Sequence, residues 1–251
     1  MNWSRLGKVL AMVVLLGLSA RVRQAGAAAE VHRFNLVLSM VPSQVDGGDF
    51  NTTIDFINRT ALLPFGLEGM KRITFAWLFD AQLEYFIRQN MAISAGVGQI
   101  RAATNREYLP TLNAQVQLHG EVLSVPVHVG GTYYLAPYNQ GDFQARAYFG
   151  AGVVSLVYNK TVFQQEANGL PGVPNALLIG TQDSPGYYVE AGGHMFFASR
   201  MSVLLGAMYR SARVANIVDQ ETRRPFLAPD GTSYTLDLSG VGVKLGLGIG
   251  F

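Results

Sequence analysis

The last eleven residues alternate without a fault. Val241, Val243, Leu245, Leu247, Ile249 and Phe251 are separated by Gly242, Lys244, Gly246, Gly248 and Gly250. A period of two places every apolar side chain on one face of an extended strand and every small or polar one on the other. The same pattern returns upstream. Ile73, Phe75, Trp77, Phe79, Ala81, Leu83, Tyr85 and Ile87 alternate with residues that include Thr74, Asp80, Gln82 and Glu84. Val189, Ala191, Met195 and Phe197 oppose Glu190 and His194. Helical spacing would set Asp80 and Glu84 beside Leu83 and mix the two faces, so these stretches read as strands.

Eight such runs are present, at 31–41, 70–87, 90–103, 113–136, 143–158, 184–198, 201–213 and 232–251. Their connections alternate in length. Short ones fall around Gln89, across 138–142 and at Ser199-Arg200, and the other four are expected to be long. Short turns at one end and long loops at the other are the arrangement of an antiparallel transmembrane β-barrel of the outer membrane. Aromatic residues fit that geometry. Tyr85-Phe86, Tyr133-Tyr134, Phe196-Phe197 and Phe251 fall at the turn end, and Phe75, Trp77, Tyr158, Tyr187-Tyr188 and Tyr209 at the loop end. Ten residues of strand span about 33 Å, and a tilt of about 40° leaves about 25 Å between girdles, the height of a lipid-facing band. Two runs change phase, one after Val116, Leu118 and Val122, the other after Leu236 and Leu238. Bulges at Gly120 and Gly240 would produce this, as would segments rising above the bilayer.

Composition agrees with this class. The chain has 251 residues, 49% hydrophobic and 14% charged, with 28 Gly, no Cys and a net charge of +2. High charge and few aromatics, which disorder requires, are lacking. Without cysteine there is no disulfide scaffold or thiolate metal site. The charge gives no reason to expect nucleic acid. Arg5 and Lys8, an uncharged stretch over 9–20 and the small residues ending at Ala27-Ala28-Ala29 have the form of a cleaved secretory signal. The expected organisation is therefore a signal peptide over 1–29 and one barrel domain over 30–251.

The ending Leu236-Asp237-Leu238-Ser239-Gly240, continued by the alternating 241–251, resembles the last strand of small outer-membrane barrels. That superfamily includes the OmpA transmembrane domain, OmpX, OmpW and the opacity-type proteins. Val125-Pro126-Val127, Tyr133-Tyr134 and the stretch Arg146-Ala147-Tyr148-Phe149-Gly150-Ala151-Gly152 are similar to the same group. The resemblance implies that Leu245, Leu247, Ile249 and Phe251 form the signal read by the outer-membrane assembly machinery. It implies a fold and an address more than a function.

An eight-stranded barrel has an interior just wide enough to be filled by side chains. The inward set expected from the alternation is Asp80, Gln82, Glu84, Arg146, Glu190, His194, Arg210 and Lys244. Opposite charges there should pair, because a buried unpaired charge costs several kcal/mol. Such a network could be a salt-bridged plug or, less ordinarily, a proton relay or ion-conducting track. Asp80 and Glu84 stand about 13 Å apart along a strand, too far for a pair of catalytic carboxylates. Ser124 and His128 are separated by the same step, and no His-x-Ser pair of the lipid A deacylase kind occurs. His119 and Glu121 could share a face near the outer rim. No enzyme, metal site or cofactor is expected. Asn-x-Thr triplets at Asn51, Asn58 and Asn159 read as chance matches.

Specific function would then reside in the loops. In the loop over 41–71, a short helix is expected around 52–60, with Asn51 as N-cap and Ile54, Ile57 and Ala61 on one face. It would cap the barrel mouth, or contact lipopolysaccharide or a ligand. The third loop carries Gly169-Leu170-Pro171-Gly172-Val173-Pro174, and the fourth Arg213, Asp219, Glu221, Arg223 and Arg224. The expected protein is a monomer in contact with outer-membrane lipids and lipopolysaccharide. Its role is structural or one of surface interaction, with a narrow OmpW-like channel as the alternative and a lipid-modifying enzyme as the third.

Overall fold

The structure, a computed structural model, describes residues 32–111, 114–141, 143–168, 176–197, 200–220 and 222–251. The expected signal peptide lies outside the described residues. Eight long strands form the body: β1 Phe34–Gln44, β2 Phe75–Arg88, β3 Met91–Thr111, β4 Ala114–Tyr134, β5 Phe143–Asn168, β6 Ser184–Phe197, β7 Met201–Val214 and β8 Gly240–Gly250. Each pairs antiparallel with the next, and β8 pairs with β1 from Asn35↔Gly250 to Ser43↔Gly242. The ladder therefore closes on itself as an all-β, eight-stranded antiparallel barrel. Closure leaves no strand edge unpaired around the body. At the seam, the Phe251 amide donates to the Phe34 carbonyl at 2.9 Å.

Alternation holds along the strands, with a change of phase within β5. Phe75, Trp77, Phe79 and Leu83 on β2 and Val241 to Ile249 on β8 point outward and are exposed, while Gln82, Glu84 and Lys244 point inward and are buried. Leu205 faces out, 51% exposed, and its neighbour Leu204 faces in.

The expected bulges are elsewhere. Gly120 pairs in register with Thr104, and even-numbered residues face inward along the whole of β4. Leu236↔Val214 and Gly240↔Arg210 likewise share one register. The apparent change of phase is a change in the interior. Val122, Leu118, Leu236 and Leu238 are apolar residues facing inward, into a core that fills the upper barrel. An irregularity within the body lies in β5, where Val157 is the extra residue opposite Val125 and Pro126. Proline has no N–H to give the ladder, which makes its partner strand a natural place for a slip.

The second loop is also shorter than expected, because β3 continues past 103 to Thr111 and leaves only 112–113 before β4. β5 likewise runs to Asn168 and pairs with a further short strand, Ala176–Thr181. These extensions rise above the barrel body. Outward apolar residues give way there to Arg101, Asn105 and Glu107 on β3, so the alternation that marks the strands of the body is lost.

Loop one folds into the mouth. Helix α1, Asp49–Ile57, starts three residues earlier than expected and continues as a π turn, Asn58–Leu62, and a 3-10 turn, Leu63–Phe65. Gly48, with φ 55°, takes the N-cap position instead of Asn51. Asn51 is a clip: its amide donates to the carbonyls of Asp46 at 2.6 Å and Ile73 at 2.8 Å, and its side-chain oxygen accepts the Ile73 N–H at 2.8 Å. Asn58 does the same for Met70. Phe50 and Ile54 are fully buried and Leu62 nearly so, whereas the expected Ala61 is exposed.

Candidate functional site

The lumen is built in three levels. At the turn end, Phe86, Ala92, Tyr134, Tyr148, Phe196 and Leu204 form an apolar floor. Strand alternation explains it. The aromatic doublets expected at the girdle are divided, with Phe86, Tyr134 and Phe196 turned inward while Tyr133 and Phe197 remain exposed. His194 is attached to this floor, its Nδ1 3.0 Å from the Tyr134 hydroxyl and its ring stacked on Phe196 at 4.1 Å. Arg146 donates to Gln144 at 2.7 Å and to the Gln89 carbonyl, with its guanidinium 5.9 Å from the Phe196 ring.

The middle level is polar. Lys244 donates to Glu190 at 2.8 Å and to Gln82 at 3.2 Å. Gln82 donates to Glu84 at 3.1 Å, and Asn35 donates to the other Glu84 oxygen at 3.1 Å. One chain of contacts thus joins strands β6, β8, β2 and β1 across the lumen. Asp80 stands apart from it, bonded to His128 Nε2 at 2.8 Å, with the Tyr188 ring edge-on to the imidazole. Arg210 has the Leu238 carbonyl as its partner, at 3.1 Å and 3.3 Å.

All eight expected residues therefore line one interior, but they do not form one network. Lys244, Glu190, Gln82 and Glu84 are joined; Asp80, Arg146, His194 and Arg210 have other partners. Asn35, Tyr134 and Gln144 were absent from the expected set. Each falls on the inward parity of its strand, which was the available signal.

The upper level is the apolar plug. Phe50 stacks on Phe163 at 4.6 Å, and Ile54, Leu78, Ile100, Val122, Leu156 and Met208 close around them. Between plug and polar level remains a cavity of about 30 Å³, bordered by Asp80, His128, Arg210 and Lys244. That is room for about one water molecule. Among the described residues, no three His, Asp or Glu side chains are placed to hold a metal ion.

The outer surface is apolar between two aromatic rims. Phe34–Tyr85 (4.9 Å), Phe34–Phe251 (5.9 Å) and Phe143–Phe197 (5.6 Å) contact one another at the turn end. Phe75–Trp77 (5.3 Å) and Tyr187–Tyr209 (6.4 Å) do so at the loop end. Above that rim, His119 and Glu121 do share an outward face, with Nδ1 of His119 at Asn105 and Glu121 held by Arg101 at 2.6 Å. The triplet asparagines Asn51 and Asn159 are buried, and all three have their amides in hydrogen bonds.

The sequence matches no family model and no curated protein. Solved structures similar to the chain include Neisserial surface protein A, at 10% identity and TM-score 0.44, covering 88% of this chain and 99% of that one. The N-terminal β-barrel domain of Pseudomonas aeruginosa OprF matches at 12% identity and TM-score 0.39, covering 88% and 100%. Outer membrane protein AlkL matches at 16% identity and TM-score 0.41, covering 92% and 97%. The closed strand ladder of this chain defines its fold independently of them.

Proposed function

We propose that this chain spans the outer membrane of a Gram-negative-type cell as a closed, monomeric barrel that does not conduct. Its role in this reading is structural or one of surface interaction: envelope integrity, or adhesion through the loops above the rim. The observation that carries the reading is a filled lumen inside an apolar exterior. Outward Leu, Val, Ile and Phe between two aromatic rims suit a lipid environment. The plug, the Lys244–Glu190 level and the aromatic floor each set buried side chains across the lumen, which counts against the narrow-channel alternative. Leu245, Leu247, Ile249 and Phe251, exposed on the last strand, would be read by the assembly machinery. Outer-membrane lipids and lipopolysaccharide would surround the belt, and a surface ligand would meet the loops.

Single-channel conductance of the refolded protein in a planar bilayer tests this, with heat-modifiable gel mobility as the folding control. A folded, silent protein is expected. Reproducible conductance from the folded band would overturn the plugged reading and favour a channel for small solutes. Lipid A mass is expected to be unchanged after co-incubation; a lost acyl chain would establish the enzyme instead.

A further inference from the structure

Outside the barrel, at the loop-end rim, a groove of about 790 Å³ runs between the returning arm of loop one and the upper part of β3. Its two halves differ in chemistry. Below, Phe75, Trp77 and Phe79 form a continuous ladder down the outward face of β2, with ring centroids 5.3 Å and 6.3 Å apart. Beside and above this ladder, the groove is bordered by Lys71, Arg72, Arg101 and Arg106, and no carboxylate lines it. Arg72 is held by Asp55 and Arg101 by Glu121 from behind, with 61% and 63% of their side chains still exposed. Arg101 gives Glu121 its Nε. Lys71 is exposed and has no carboxylate partner among the described residues.

We infer that this groove binds a net-anionic phospholipid of the loop-side leaflet in preference to a zwitterionic one, its acyl chain along the Phe75–Trp77–Phe79 ladder and its phosphate among Lys71, Arg72 and Arg101. The inference rests on the transmembrane reading above and adds a ligand class and a place to it. The apolar half opens onto the lipid-facing belt, so an acyl chain enters it without leaving the bilayer. The cations flank the aromatic rim, with Arg101 paired beside Trp77 on the neighbouring strand, at the depth of a headgroup. Three of the four cations already hold a carboxylate, Arg106 that of Glu68, so the net attraction is that of about one free cation. Such a charge near a membrane surface corresponds to roughly a fivefold preference for an anionic lipid.

Trp77 reports on the site directly. In the full chain carrying Trp3→Phe it is the one remaining indole. The protein is refolded in vesicles of phosphatidylcholine and phosphatidylglycerol at fixed ratio, with bromine on the acyl chains of one lipid or the other. Stronger quenching of Trp77 by brominated phosphatidylglycerol, equivalent to about a fivefold enrichment at the site, is expected. Lys71→Gln with Arg101→Gln should abolish the enrichment while leaving heat-modifiable mobility intact. Equal quenching by the two lipids, or enrichment that survives both substitutions, would overturn the inference. A protein quenched by neither lipid would fail the transmembrane reading itself, so the two failures are distinguishable.

Discussion

Lys244 Nζ lies 2.8 Å from Glu190 Oε2, and the two side chains, 3% and 2% exposed, reach each other across the lumen from strands separated by β7. Both charges are almost wholly withdrawn from bulk water, so each depends on the other. Lys244→Met should destabilise the barrel by about 3–5 kcal/mol, because it leaves Glu190 buried without its counter-ion. Lys244→Met combined with Glu190→Leu should recover most of that loss. Urea unfolding in vesicles of the two singles and the double measures the coupling. Additive losses would mean that the pair is not coupled.

Phe50 is the centre of the plug. It is fully buried, stacked on Phe163, and lies so close to β4 that a Cβ at Gly120 would come within 2.9 Å of its ring. Phe50→Ala should cost about 3–5 kcal/mol in the packing of loop one. Faster proteolysis within 45–74 is expected, with the barrel band of the gel unchanged. Conductance should stay silent, since the Lys244–Glu190 level lies beneath. A variant that conducts would show that the plug alone closes the lumen.

The alternation of apolar residues was enough to read the eight strands and their inward faces, because a half-buried strand repeats every two residues wherever one face meets lipid or a core. It could not supply the partners. Asp80 bonds His128, 48 positions away, and Lys244 bonds Glu190, 54 positions away. Which inward residue meets which depends on stagger and tilt around the whole barrel, and no local pattern encodes those. The upper parts of β3 and β5 were illegible for a different reason. From Arg101 on, the outward face of β3 carries Asn105 and Glu107, and the outward apolar signal ends. Asn51 looked like an N-cap because it precedes a helical pattern, but its function as a clip depends on Ile73, which only the folded loop brings to it.

The loop-one helix has an acid-sensitive tie to the returning arm. Arg72 donates to Asp55 from Nε at 2.9 Å and from Nη2, and this hydrogen bonding holds the Asp55 carboxyl below its usual value of 3.8. A carboxyl depressed in the folded state stabilises that state above its unfolded pKa and loses the contribution as pH falls through the folded one. Loop one should therefore hold constant protection near neutral pH and loosen as pH drops below about 4. Amide hydrogen exchange over 49–74 between pH 6 and pH 3, corrected for intrinsic rates, measures this. Asp55→Asn should remove the pH-dependent part. Equal loosening in that variant would assign it to another carboxyl.

Leu205 tests the orientation on which the membrane reading depends. It is 51% exposed near the middle of β7, where it pairs with Leu245 of β8 on one side and Gly193 of β6 on the other. If this face meets hydrocarbon, Leu205→Arg must place a guanidinium near the bilayer centre, at a cost of about 2–4 kcal/mol. In water the same change would be nearly neutral, as surface substitutions usually are. Leu205→Phe is the control for bulk, since it changes size without charge. Folding into vesicles should be impaired for the arginine variant and normal for phenylalanine. The penalty should shrink for the same substitution at Tyr209, which lies at the loop-end rim against Tyr187. A flat profile from Leu205 to Tyr209 would mean that the exposed belt does not face lipid.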